Sequence, residues 1–224
     1  MQNANVKPEI GQGINDFIQK HRKPIIVSAG SVALLLVIGI VGLSLADMFS
    51  KKAINTVEDF SGRYESMRYS INEEYMENDA AELIAEVESF AKKNSGYAGA
   101  KAWSIAGNIH SEKKNWADAE TAWIACAEKS AKNYLAPVAW FNAGVAAEEQ
   151  GKAEQAIECY AKSLSATAGF SSAPSAQFSI GRLRETLNER EAAIAAYRAV
   201  ISGWPYDSTW TNLAHSRIIA LELQ

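Results

Sequence analysis

At 224 residues the chain can hold one or two domains, and its composition, 48% hydrophobic and 21% charged, is that of a folded protein rather than a disordered one. Two cysteines, Cys126 and Cys159, exclude a disulfide-stapled scaffold, and His21, His110 and His215 are scattered singly, so neither a metal nor any other cofactor is expected. The net charge is −4; from Asp47 onward 18 basic residues face 24 acidic ones, which argues against nucleic acid or anionic lipid as the main ligand of that part.

Residues 1–24 are polar, with Lys7, Lys20, Arg22 and Lys23. Ile10, Ile14, Phe17 and Ile18 follow i, i+4, i+7, i+8 spacing, which is either a short amphipathic helix on a membrane surface or a disordered tail with scattered apolar residues. From Ile25 to Leu45 twenty-one residues pass without a charge, long enough for a helix to cross a bilayer. Residues 25–46 are therefore read as a transmembrane helix that Pro24 is placed to begin. Ser44 and Ala46 would also suit a cleaved signal peptide, but the long polar region before the run and the length of the run itself favour an uncleaved anchor. Lys20, Arg22 and Lys23 before the run outnumber Lys51 and Lys52 after it, a narrow bias toward a cytoplasmic N-terminus.

Residues 47–99 are expected to form a stalk helix and an atypical first hairpin. Val57, Phe60, Tyr64, Met67, Ile71 and Tyr75 alternate three and four apart through 48–76, a stripe for self-association as a coiled coil or for packing on the next helices. Its shortness and its aromatics favour packing. Asn78 and Asp79 are expected to cap a second helix to about Lys93, with Leu83, Ile84, Val87, Phe90 and Ala91 buried.

Three segments then repeat one pattern over 100–206. Gly107, Gly144 and Gly181 lie 37 residues apart; Ala119, Ala156 and Ala193 follow twelve later, and Trp123, Tyr160 and Tyr197 four after that. The pattern predicts helical hairpins: the glycine lets a second helix approach, the alanine reciprocates, and the aromatic fills the space one turn on. Pro137 and Pro174 suit first turns of helices. Gly151 is placed to end a first helix, where the other copies carry Lys114 and Asn188, the latter a common left-handed residue. Cys126 and Cys159 fall on second helices, read as buried free thiols with a disulfide as the alternative. From Asp207 or Ser208 to about Leu223 a last helix, with Trp210, Leu213, Ile218 and Leu221 inward, is expected to cap the stack as residues 207–224.

The Gly, Ala and Tyr/Trp positions, with Trp103 and Trp140 ahead of them, resemble the tetratricopeptide repeat. The family period is 34, and the extra residues are placed in the links around Lys132–Leu135 and Ala168–Ala173. The implied fold is all-α: one N-terminal transmembrane helix, a tetratricopeptide-like α-solenoid of three to four hairpins, and the capping helix. The implied activity is protein–protein contact. By analogy with the family, a concave groove would be lined by Lys101, Ser104, Asn108 and Glu112, then Val138, Phe141, Val145 and Glu148, then Phe178, Arg182 and Glu185. Its mix of aromatic and acidic side chains suits an apolar or basic peptide, unless Phe141 and Phe178 merely pack between hairpins. Asn108 and Asn142 match the asparagines of the chaperone-tail clamp, but Ser104, Ser175 and Ser179 stand where its basic residues would be.

No glycine-rich phosphate loop, nucleophile elbow or Ser/Cys–His–acid spacing is present, so no enzyme is expected. The layout, together with Phe90–Trp103, resembles the YfgM-like family of bacterial inner-membrane proteins. That resemblance implies an accessory subunit of the Sec translocon, its body in the periplasm beside chaperones and client peptides. The alternatives are a structural scaffold of a cell-envelope or motility assembly, with homo-oligomers, and an import-receptor-like protein whose repeats face the cytosol.

Overall fold

The computed structural model describes residues 9–69, 73–131, 133–166 and 170–223 (backbone alone at 9–13, 25, 30 and 73–78). Lys7, Ile71, Lys132 and Ala168, which figure in the sequence reading, fall outside these. Among the described residues the chain forms ten helices, arranged in two compact units, Met1–Lys52 and Ala53–Gln224.

The first unit holds α1 (Glu9–Lys20) and the leading part of α2 (Arg22–Arg68). Over α1 the helical alternative is the one taken, with Ile14, Phe17 and Ile18 exposed. Along α2 the apolar residues from Ile26 to Leu45 are exposed, and this helix is long and apolar enough to cross a membrane.

In the second unit α2 contributes its last turns. The break after it lies between Arg68 and Glu73, not at Asn78–Asp79: α3 spans Glu73–Lys93 and runs through that pair. Asn and Asp inside a helix cost only a few tenths of a kcal/mol each, and the strong formers flanking them, Glu73–Glu77 and Ala80–Glu82, outweigh that. Tyr75 therefore belongs to α3. Val57, Phe60 and Tyr64 are buried, and the Phe60 ring meets Phe90 of α3 edge-on at 5.4 Å. An exposed Arg63–Glu86 pair at 2.7 Å flanks this contact. The aromatic stripe is thus spent on packing.

Three hairpins follow: α4 (Gly96–Glu112) with α5 (Trp116–Lys129), α6 (Leu135–Glu149) with α7 (Ala153–Ser165), and α8 (Ala173–Thr186) with α9 (Arg190–Gly203). Each helix from α3 to α10 packs on its neighbours in sequence, and the buried core runs along the stack as three successive clusters, the arrangement of a repeat solenoid. Within hairpins the turns are tight, and Lys114, Gly151 and Asn188 take positive φ of 58°, 72° and 59°. The longer links, after α5 and α7, absorb the extra length. Pro137 and Pro174 sit buried in the first turns of α6 and α8, where a missing N–H costs nothing. Cys126 and Cys159 are buried and free.

The last helix, α10 (Ser208–Glu222), starts where the Asp207 carboxylate accepts from the Trp210 amide at 3.2 Å. It takes the place of the first helix of a further hairpin and ends the core. Its inner residues are Thr211, Ala214 and Leu221, with Trp210 and Ile218 beside them. Leu213, expected inward, is 44% exposed. Ala214 holds the inward direction there, and one helix position is a rotation of about 100°.

Candidate functional site

The repeated residues build one small motif three times. A Cβ added at Gly107, Gly144 or Gly181 would lie 2.7, 2.8 or 2.6 Å from the ring of Trp123, Tyr160 or Tyr197. Each ring therefore lies flat on the backbone of its partner helix, and Ala119, Ala156 and Ala193 are fully buried on the other side of the seam. The polar tip of each ring then reaches the residue four beyond the glycine. Trp123 Nε1 donates to Ser111 Oγ at 3.1 Å and the Tyr160 hydroxyl to Glu148 at 3.1 Å; the Tyr197 hydroxyl donates to Glu185.

In the last two copies the acceptor is a carboxylate, and the next element neutralises it. Arg182 of α8 binds Glu148 of α6 at 2.6 Å, and Arg217 of α10 binds Glu185 of α8. At the front of the stack the same chemistry recurs from a different register: the Tyr64 hydroxyl donates to Glu112 at 2.7 Å, and Arg68 binds that carboxylate at 3.0 Å. Burial, then the neighbouring carboxylate, pushes the phenols of Tyr64, Tyr160 and Tyr197 well above their ordinary range. Burial alone would raise Glu185, but hydrogen bonds from Arg217 and Tyr197 outweigh it and hold the carboxyl below its usual value.

The face carried by α4, α6 and α8 is accordingly more self-satisfied than the sequence suggests. Phe141 is wedged between Tyr160 and Phe170, at ring distances of 5.5 and 5.9 Å; Phe178 lies between Tyr197 and Trp210, at 5.0 and 5.3 Å. Phe141 thus packs within its own hairpin and against the link that follows it, and Phe178 between its own hairpin and α10. Val145 is half-buried beside Phe141 in the same cluster. Glu148 and Arg182 are brought together, Glu185 is taken by Tyr197 and Arg217, and Glu112 by Tyr64 and Arg68. Asn108 is half-buried with no side-chain partner among the described residues, and Val138 stays 39% exposed.

Another junction escaped the sequence reading. Glu120 of α5, only 4% exposed, accepts from Gln150 Nε2 at 2.8 Å and from Lys152 Nζ at 3.0 Å, both in the turn between α6 and α7. Gln150 also donates to the Trp116 carbonyl at 3.1 Å, tying that turn to the start of α5. Glu120 stands where the other copies hold Ile157 and Ile194, and that exchange of a core residue for an acid was the available signal. Burial raises the Cys126 thiol to about 12 and the Cys159 thiol to about 11, so both are protonated and inert at neutral pH.

Residues 137–169 and 174–202 match the family model of the tetratricopeptide repeat. These are the α6–α7 and α8–α9 hairpins, where a tyrosine and a glutamate form the ring motif; the α4–α5 hairpin, with Trp123 and Ser111, lies outside the match. Among solved structures, the crystal structure of MamA protein is 20% identical over 71% of this chain and 79% of its own, with a TM-score of 0.51, a likeness of fold. The TPR domain of Arabidopsis OM64 is 20% identical over 54% of this chain and 94% of its own, with a TM-score of 0.44. A search of curated proteins finds no match.

Proposed function

We propose that this stack of tetratricopeptide-repeat hairpins is a membrane-anchored protein-interaction module. The carrying observation is one helix, α2, which includes the exposed apolar run Ile26–Leu45 and ends by packing Val57, Phe60 and Tyr64 into the start of the stack. A hydrocarbon core of about 30 Å matches such a run. The basic residues before it favour a cytoplasmic N-terminus and a body on the far side, the periplasm of a bacterium with the span in the inner membrane. The resemblance of the layout to the YfgM-like family supports the finer role: an accessory factor of protein translocation, in contact with the Sec translocon, periplasmic chaperones or client peptides.

The groove residues Asn108, Glu112, Phe141, Val145, Glu148, Phe178, Arg182 and Glu185 remain the proposed contact face. With Glu112, Glu148 and Glu185 each held by an arginine, this face favours an apolar peptide segment over a basic one, because a basic peptide would have to displace an internal guanidinium. Photo-crosslinkers placed at Val138 and Arg182, which point outward, test this in native membranes. Recovery of translocon subunits or secretory clients supports the accessory role; recovery of one large envelope assembly supports the scaffold instead. Accessibility of the body to a membrane-impermeant reagent separates both from a receptor whose repeats face the cytosol.

A further inference from the structure

The first unit carries a second apolar surface that the span does not explain. Along α1, Ile14, Phe17 and Ile18 are 56%, 60% and 48% exposed. They share one stripe, which Ile10 continues in the sequence, and Asn15, Asp16 and Gln19 lie on other sides. A single residue, His21, separates α1 from α2, and the Phe17 and His21 rings pack at 4.6 Å across that joint. The exposed cations Lys20, Arg22 and Lys23 cluster there, with no ion-pair partner among the described residues.

We propose that α1 is an interfacial helix whose apolar stripe lies in an anionic bilayer surface, beside the entry point of the span. The inference rests on the reading of Ile25–Leu45 as membrane-crossing. The occupant follows from continuity. The C-terminal end of α1 is five residues ahead of Ile25, so its stripe, Ile14 to Ile18, is tethered within about 10–17 Å of the start of the span at a helical rise of about 1.5 Å per residue. A soluble partner would have to compete with lipid held at very high effective concentration. The charge agrees: the cations at the joint meet anionic headgroups while the stripe sinks to the acyl boundary, the division expected of a surface-lying amphipathic helix. The joint would then hold the span at fixed depth, with α1 acting as a stop.

The test uses the full chain carrying one nitroxide label, through Ile14→Cys, Asp16→Cys, Ile18→Cys or Leu35→Cys, reconstituted in zwitterionic vesicles with or without anionic lipid. Cys126 and Cys159 are buried and do not compete for the label. Collision with a water-soluble nickel chelate should fall several-fold at 14 and 18 relative to 16, and further when anionic lipid is present. Equal exposure at 14, 16 and 18 with shielding at 35 overturns the interfacial helix while leaving the span intact. An open label at 35 removes the span and this proposal with it. Spin–spin broadening at 14 and 18 that disappears on dilution with unlabelled protein would assign the stripe to a second copy instead. Equal shielding in both lipids would overturn the anionic preference.

Discussion

Lys114 occupies the left-handed turn position that the other hairpins give to Gly151 and Asn188. A residue with a Cβ holds that conformation at a cost of about 1 kcal/mol, and the Lys114 side chain is exposed with no ion-pair partner among the described residues; its backbone N–H bond to the Ser111 carbonyl at 3.0 Å is one a glycine would keep. Lys114→Gly should raise stability by about 0.5–1 kcal/mol, read as a shift of the urea midpoint at unchanged slope. Glu185 offers a pH-dependent counterpart. Its folded pKa lies below its unfolded value because Arg217 and Tyr197 bind the anion, so the stability it contributes is present above about pH 4.3 and is lost as pH falls through the folded value. Arg217→Met should therefore cost about 1 kcal/mol near neutral pH and less as the pH is lowered through the carboxyl's folded value, a trend that thermal melts across an acid pH series will show. The three buried phenols work in the opposite direction. Their folded pKa values are raised, so their contribution is intact below about pH 10 and fades above it, with tyrosinate absorbance appearing together with unfolding.

Glu120 decides how one hairpin engages the next. A buried carboxylate stripped of its partner costs several kcal/mol, whereas an apolar replacement of similar volume is often neutral. The two neighbouring repeats already use isoleucine at this position, and Ile157 is buried there. Glu120→Ile is expected to change stability by less than about 1 kcal/mol, while Lys152→Ala should cost about 2 kcal/mol, reduced from the fully buried case by the half-exposed ammonium. Denaturant curves for the pair would settle the order. This junction also marks the limit of reading the sequence. Gly107, Gly144 and Gly181 with their rings were legible because backbone approach leaves a fixed spacing. Glu120 left only the trace of an acid where the other copies hold isoleucine, because a buried glutamate and a surface one are the same letter and its burial depends on where the next turn lands. The Leu213 error has the same root: the rotation of α10 is set by Ala214 and Arg217 meeting α8 and α9, which no local period records. The end of α2 at Arg68 was missed because its apolar stripe runs on in phase in the sequence beyond that residue.

At the scale of the stack, each hairpin is supported by its neighbours, and the outer side of the last one is covered by α10. Ending the chain after Tyr206 would uncover Val200, Tyr197 and Phe178 and release the Glu185–Arg217 pair. In a nearest-neighbour array the loss is local first. Hydrogen exchange should show α8 and α9 losing protection while α4 to α7 keep most of theirs; uniform loss throughout would mean that the stack folds as a single cooperative block.

The junctions also differ in kind. Between the first and second hairpins the ionic contact is buried at Glu120; between the second and third it is the half-exposed Glu148–Arg182 pair, and at the cap the half-exposed Glu185–Arg217 pair. Salt weakens exposed pairs far more than buried ones. The stack therefore differs in stiffness along its length: the Glu120 junction near its middle keeps its ion pair as ionic strength rises, while the exposed Arg68–Glu112 pair at the front and the Glu148–Arg182 and Glu185–Arg217 pairs beyond it weaken. A peptide laid across its face would meet a firm centre between two yielding ends.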